Sequence, residues 1–223
     1  IDIPMPFEEL RAMVLDFCRR IDSPDAMAYV QATRGVGMRG HAYRFAGGTP
    51  SLWVWVKPDM LDPMDKSYKC ITMEDTRYLH CDIKTINLLP AVIYTQRAEE
   101  AGCDETILHR GERVTECAHS NVHILKDGVF KTAPCDNLIL PGITRAHRIA
   151  QCREMGIPVV EEPFTLEEMM NADEVFFTSA SALCCRIEEI DGKKVGGRDA
   201  ELIARIQKAA WDEALAEVKA ING

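Results

Sequence analysis

Hydrophobic positions recur at three- and four-residue intervals from Leu10 through Val14 and Phe17 to Ile21, which predicts an amphipathic helix over residues 7–20. The spacing then changes. Residues 26–33 and 51–56 read as strands, the first running into the glycine-broken polar loop from Arg34 to His41 and the second stopping at Lys57-Pro58-Asp59. The stretch 57–65 holds two prolines and three aspartates and is the best candidate for a linker. Further strands are expected at 68–73, 105–110, 114–116 and 174–179, with another candidate at 77–81. Helices are expected at 89–100, 144–155 and 198–220, the first two stopped by Gly102 and Gly156. Thr165-Leu166-Glu167-Glu168 is a capping box that opens a short helix. Asp127-Gly128 and Asp191-Gly192 supply the positive φ angles of tight turns in hairpins over 121–131 and 187–195. Hairpins mixed with helices predict an α+β fold rather than a doubly wound sheet.

Composition narrows the function classes. Hydrophobic residues make up 47% and charged residues 27% of the 223, enough to bury a core. With 26 basic against 35 acidic residues, the net charge of -9 argues against a general nucleic-acid binder. No apolar run approaches the roughly 20 residues that span a bilayer. Nine cysteines, an odd number in a chain too long to need staples, point to reduced thiols and a cytoplasmic location. The vicinal pair Cys184-Cys185 lacks the spacing of a redox motif and is expected to pack as small apolar residues.

Four segments could carry chemistry. Lys84 lies between apolar neighbours in Cys81-Asp82-Ile83-Lys84-Thr85-Ile86, and partial burial would make its amine nucleophilic enough for a Schiff base. A snorkelling lysine at a helix start fits the same context. Glu116 ends a short apolar strand, where it could hold a buried cationic nitrogen or be a solvated strand-end carboxylate. Pro141-Gly142-Ile143-Thr144 opens a helix whose free amides and Thr144 hydroxyl could form a phosphate cup, with Ser179 and Ala180 in a second turn; Pro-Gly is also plain punctuation. Arg39-Gly40-His41 could grip a carboxylate with a guanidinium fork or be a solvated basic loop. A metal site at Cys117, His119 and His123 is disfavoured, because positions 119 and 123 on one strand lie about 13 Å apart.

Taken in order, these segments resemble the class IV aminotransferases of fold type IV. The resemblance rests on Cys81 to Leu89, Ile107-Leu108-His109-Arg110, Val114-Thr115-Glu116, Ser120-Asn121-Val122 with Lys126-Asp127-Gly128, and Asn137 to Arg145, and covers most of residues 20–215. It implies pyridoxal 5′-phosphate as cofactor, Lys84 as its covalent anchor and proton carrier, and Glu116 on the pyridine nitrogen. Ile143, Thr144, Ser179 and Ala180 would hold the phosphate, and Leu140 would pack on the ring. Within the family, Thr33-Arg34-Gly35 followed by Arg39-Gly40-His41 is similar to the D-amino-acid transaminases. There the Arg-x-His pair reaches the neighbouring subunit's site and binds the substrate carboxylate, so a homodimer is implied. The expected reaction is ping-pong transfer from a D-alanine-like amino acid to 2-oxoglutarate or pyruvate.

The implied fold has a small N-terminal α/β domain, residues 1–58, and a larger barrel-like C-terminal domain, residues 59–223. The chain departs from the family at Cys117-Ala118-His119, where a serine-rich run is common, and at Ala180, where a hydroxyl residue is common. It opens on Ile1-Asp2-Ile3-Pro4, and the family's several dozen residues ahead of the first helix are not in it, so a longer gene product is expected. Rival readings are an R-selective amine transaminase, an aminodeoxychorismate lyase, or a non-catalytic module that binds the cofactor.

Overall fold

The computed structural model describes residues 1–42 and 49–222. They form two compact units, Ile1–Met60 and Leu61–Gly223. In the first, helix α1 (Phe7–Arg19) lies against an antiparallel pair, β1 (Ala26–Thr33) and β2 (Ser51–Pro58). Strand β2 runs two residues past its expected end, because Lys57 and Pro58 still pair with Met27 and Ala26. Pro58 donates no hydrogen bond and is tolerated at an outer edge. Tyr29 and Trp55 face each other across the ladder with stacked rings 5.2 Å apart.

The second unit carries a nine-stranded mixed sheet. Its strands are β3 (Tyr68–Glu74), β4 (Glu105–Arg110), β5 (Arg113–Cys117), β6 (Asn121–Lys126), β7 (Val129–Thr132), β8 (Val159–Glu161), β9 (Glu174–Thr178), β10 (Cys185–Ile190) and β11 (Lys193–Lys194). The order is β5-β4-β3-β10-β9-β6-β7-β8, with β11 paired to β10. Five strand spacings separate β5 from β6 in that order, roughly 24 Å in a flat sheet. The four Cα steps from Cys117 to Asn121 span at most about 14 Å. The sheet must therefore curl until β5 and β6 meet, and Cys117 N–H bonds the Ser120 carbonyl at 2.7 Å.

One face buries Cys70, Ile107, Val122, Val175 and Ile187. The other buries Leu125, Phe130 and Phe176 together with apolar residues of α3 (Ile143–Glu154) and α5 (Ala200–Asn222). Two further helices, α2 (Leu89–Glu100) and α4 (Leu166–Met170), complete the unit, α4 opened by the expected capping box at Thr165 and Glu168. Asp127 and Asp191 adopt φ angles of 51° and 50°, as the two Asp-Gly turns require. Cys184 and Cys185 are both buried in the core as free thiols.

One expectation fails. Residues 77–81 form no strand; the side chain of Arg77 is drawn into ion pairs and the segment has no ladder partner. Strand β8 was not legible, since three residues carry too little pattern.

His123 of β6 sits fully buried between Phe130 and Phe176, with ring separations of 5.2 and 5.1 Å. Its two nitrogens meet Thr132 Oγ1 at 2.8 Å and Thr178 Oγ1 at 2.9 Å. Both are satisfied by a neutral ring, and burial pushes the imidazole pKa down to about 3. A histidine depressed in the folded state stabilises the fold fully above its unfolded pKa, and that stability is lost as pH falls below about 6.5. Going from pH 7 to pH 5 therefore removes about 2 kcal/mol through this residue. Urea midpoints of the wild type and His123→Gln at both pH values should show a smaller acid loss in the variant; equal losses would count against the neutral, buried ring.

Candidate active site

The site grows from the curl of the sheet. Glu116, next to last in β5, is 5% exposed and accepts three hydrogen bonds. Arg77 Nη1 donates to Oε1 at 2.6 Å, while Asn121 Nδ2 and the Leu140 amide donate to Oε2, each at 3.0 Å. Burial pushes the carboxyl up to about 7, against the pull of the Arg77 guanidinium. A carboxylate offers about four acceptor positions, so one remains on the Arg77 side for a ligand donor.

Asn121 locks the neighbouring turn. Its amide also donates to the Leu140 carbonyl at 3.0 Å. Gly142, with an ordinary φ of -64°, is required for room: a Cβ there would stand 2.1 Å from Asn121 Oδ1. The space left by the missing side chain admits Asn121.

Gly142 is also the N-cap of α3 and supplies no side-chain cap, so the first-turn amides point outward uncapped. Thr144 Oγ1 donates its one proton to the Ser179 carbonyl at 2.8 Å, tying α3 to the turn after β9. The backbone amides, more than this hydroxyl, are therefore free to meet an anion. Ser179 Oγ accepts from the Ala182 amide at 3.1 Å, and Ala180 is exposed. Leu140 is half-buried and Ile143 exposed.

Lys84 departs from expectation. It lies in an exposed coil ahead of α2 rather than partly buried, with Ile83 and Ile86 exposed beside it. The coil is anchored to the site: Cys81 N–H bonds the Asn137 carbonyl at 3.0 Å, and Asn137 Nδ2 bonds the Leu79 carbonyl at 3.3 Å. Asn137 is only three residues from Leu140, whose amide serves Glu116. Hydrogen bonds thus link the Lys84 coil, Glu116, Asn121, Leu140 and the start of α3 into one assembly.

In the first unit, Arg34 orders the Arg39–His41 loop. Its guanidinium donates to the Gly40 carbonyl at 2.8 Å and the His41 carbonyl at 3.2 Å. Arg39 and His41 are themselves exposed.

Sequence reasoning missed Arg77, Asp75 and Asn121. Asn121 stood in a quoted motif without a role; Arg77 and Asp75 carried no signal, because beside each other they pair with Glu116, Arg110 and Thr115, more than 30 residues away. The histidines and cysteine weighed as metal ligands have other partners: His119 Nδ1 meets the buried Glu105 carboxylate at 3.1 Å, and Cys117 packs in the core. Among the described residues, His147, Glu213 and Glu217 stand close enough to share an ion, but His147 and Arg148 already pair with the Glu213 oxygens.

The acceptor left on Glu116 and the uncapped start of α3 fit a protonated ring nitrogen and a phosphate. Pyridoxal phosphate carries both. Gly142→Ala must displace Asn121, and overpacking of this kind costs about 1–3 kcal/mol. The variant should melt lower and retain the cofactor more weakly than the wild type in equilibrium dialysis; unchanged retention would show that Asn121 does not support the site.

Residues 1–190 match the family described as amino-transferase class IV. Over 222 residues the chain is 38% identical to a D-alanine aminotransferase of Listeria monocytogenes, covering 96% of this chain and 76% of that protein. The structure of the branched-chain amino acid aminotransferase from Escherichia coli superposes with a TM-score of 0.80 at 26% identity, over 95% of this chain and 72% of the other. A Legionella pneumophila structure, provisionally assigned as a 4-amino-4-deoxychorismate lyase, reaches a TM-score of 0.82 at 20% identity over 93% and 77%, a likeness of fold alone. The α+β fold is that of fold type IV, and the chain belongs to the class IV aminotransferases, enzymes dependent on pyridoxal phosphate.

Proposed function

We propose that the protein transfers the amino group of a D-alanine-like amino acid to a 2-keto acid such as 2-oxoglutarate or pyruvate. The observation that carries the substrate reading is the likeness to proteins named D-alanine aminotransferase. The ordered Arg39–His41 loop supports it, since a guanidinium offers two parallel donors to an α-carboxylate. An amine transaminase would need no such fork, and the lyase likeness is one of fold alone.

Bound pyridoxal phosphate supplies the electron sink and carries the nitrogen between the two substrates. Lys84 anchors the cofactor, and its free amine moves a proton on and off the substrate α-carbon. Its exposure leaves the amine open to approach. Glu116 holds a proton at the ring nitrogen, with its orientation set by Asn121 and the Leu140 amide. The uncapped amides at Ile143 and Thr144 receive the phosphate, with Ser179 and Ala180 on its far side and Leu140 against the ring.

The active form is proposed to be a homodimer. Tyr78, Leu79, Ile83, Ile86, Leu88 and Leu89 all lie between 48% and 72% exposed around Lys84. A run of apolar side chains so exposed marks an interaction surface. Nine free thiols, most of them buried, favour a reducing compartment such as the cytoplasm. No helix among the described residues is long and apolar enough to cross a membrane.

The purified protein with cofactor should show a visible absorbance band that borohydride abolishes and that Lys84→Ala lacks. With a keto acid acceptor it should turn over D-alanine and neither L-alanine nor (R)-1-phenylethylamine. Persistence of the band in Lys84→Ala would overturn the anchor, and preference for the amine would overturn the substrate class. If Arg39 serves the partner's site, Lys84→Ala and Arg39→Ala chains should each be nearly inactive with D-alanine. Refolded together in equal amounts, they should recover about a quarter of wild-type activity, because half the dimers are mixed and each mixed dimer has one intact site. No recovery would place Arg39 in its own chain's site, and an active Arg39→Ala chain would place it outside any.

A further inference from the structure

Glu116 is a buried charge at the site, and its burial works against its function. Desolvation favours the neutral acid, with the carboxyl lifted to about 7. A neutral carboxyl cannot keep a ring nitrogen protonated. The group that opposes this is Arg77, 2.6 Å away and itself only 13% exposed.

Arg77 does not rest on Glu116 alone. Its Nε and Nη2 grip the two oxygens of Asp75 at 2.9 and 3.0 Å, a bidentate pair with a carboxylate that has no exposed side-chain surface. Asp75 is fixed in turn by Arg110 Nε and Thr115 Oγ1, both at 3.2 Å, and its amide bonds the His109 carbonyl at 2.7 Å. Arg110 Nη2 also holds the Arg77 carbonyl at 2.8 Å. The result is an alternating row of charges, Arg110, Asp75, Arg77 and Glu116, with the last member turned to the site. The Cys81 and Cys117 thiols, which burial pushes up and keeps neutral, and the Tyr94 hydroxyl, bonded to Thr76, also lie beside the row.

Resting on the assignment of Glu116 to the cofactor's ring nitrogen, we propose that Arg77 is a positioning residue. It acts through Glu116, keeping that carboxylate ionised and aimed at the ring, and Asp75 holds Arg77 in place to do so. Arg77 touches neither substrate nor cofactor in this role. Oε2 is filled by Asn121 and the Leu140 amide, so Oε1, which accepts from Arg77 Nη1, keeps one acceptor position that would hold the ring N–H.

The test uses Arg77→Gln, which can keep donors to the carboxylates but carries no charge, with Arg77→Lys as the rescue. In the cofactor-free protein, the Glu116 carboxyl is titrated by NMR with side-chain 13C-labelled glutamate, the signal assigned by its loss in Glu116→Gln. Arg77→Gln should raise the midpoint by about one pH unit or more, the shift expected when an adjacent opposite charge is removed. Arg77→Lys should restore most of it. In the holoenzyme, pyridoxal phosphate labelled with 15N in the ring should read as protonated at pH 7 in the wild type and in Arg77→Lys, and lose that proton in Arg77→Gln. The double variant Glu116→Gln with Arg77→Gln should match Glu116→Gln alone. An unmoved Glu116 midpoint together with a protonated ring in Arg77→Gln would overturn the proposal. If Glu116→Gln itself leaves the ring protonated, the reading of Glu116 fails instead, and the two failures are told apart. Should Arg77→Gln not fold, Arg77→Met makes the same measurement, with the same upward shift of the midpoint expected and an unmoved midpoint counting against the proposal.

Discussion

A three-residue turn joins strands that stand first and sixth in the sheet order, and this constraint governs the larger unit. Because residues 118–120 cannot bridge a flat sheet, the sheet curls until β5 and β6 are neighbours. That closure puts Glu116 of β5 within 3.0 Å of Asn121 of β6. From that contact the assembly follows: Asn121 reaches Leu140, Gly142 yields it room, and the helix beyond Gly142 begins without a side-chain cap. The closed end of the sheet is both a packing solution and the frame of the candidate site.

The two faces of the sheet divide the labour. One side is filled by aliphatic, aromatic and cysteine side chains, the other by apolar residues that include those of α3 and α5. Buried polar groups meet matching partners, as with His123 between two threonines and Asp75 between two arginines. Unpaired, such groups would each cost on the order of 1–3 kcal/mol. The buried charges of the site are therefore arranged as a chain of opposite signs. Replacement of one member is felt at the next.

Much of the fold was legible in the sequence because its signals are local. The stripe from Leu10 to Ile21, the Asp-Gly turns, the capping box at Thr165 and the glycines ending α2 and α3 each act over a few residues. The failure has a cause that is not local. Residues 77–81 have apolar members at strand spacing, but Arg77 answers to Asp75 and Glu116, which no periodicity reveals.

For the site, the sequence by itself determined the order of chemical groups along the chain: Lys84, Glu116, Gly142 to Thr144, then Ser179. That order, read as a resemblance, was enough to identify the family. Only the tertiary structure decided which groups meet. It placed Lys84 in an exposed coil, because its apolar neighbours Ile83 and Ile86 face outward rather than into a core. It gave Gly142's space to Asn121, and it brought Arg77, 39 residues from Glu116, to within 2.6 Å of it. Charge pairing across strands depends on how the sheet closes, and closure is a property of the whole sheet that no single segment encodes.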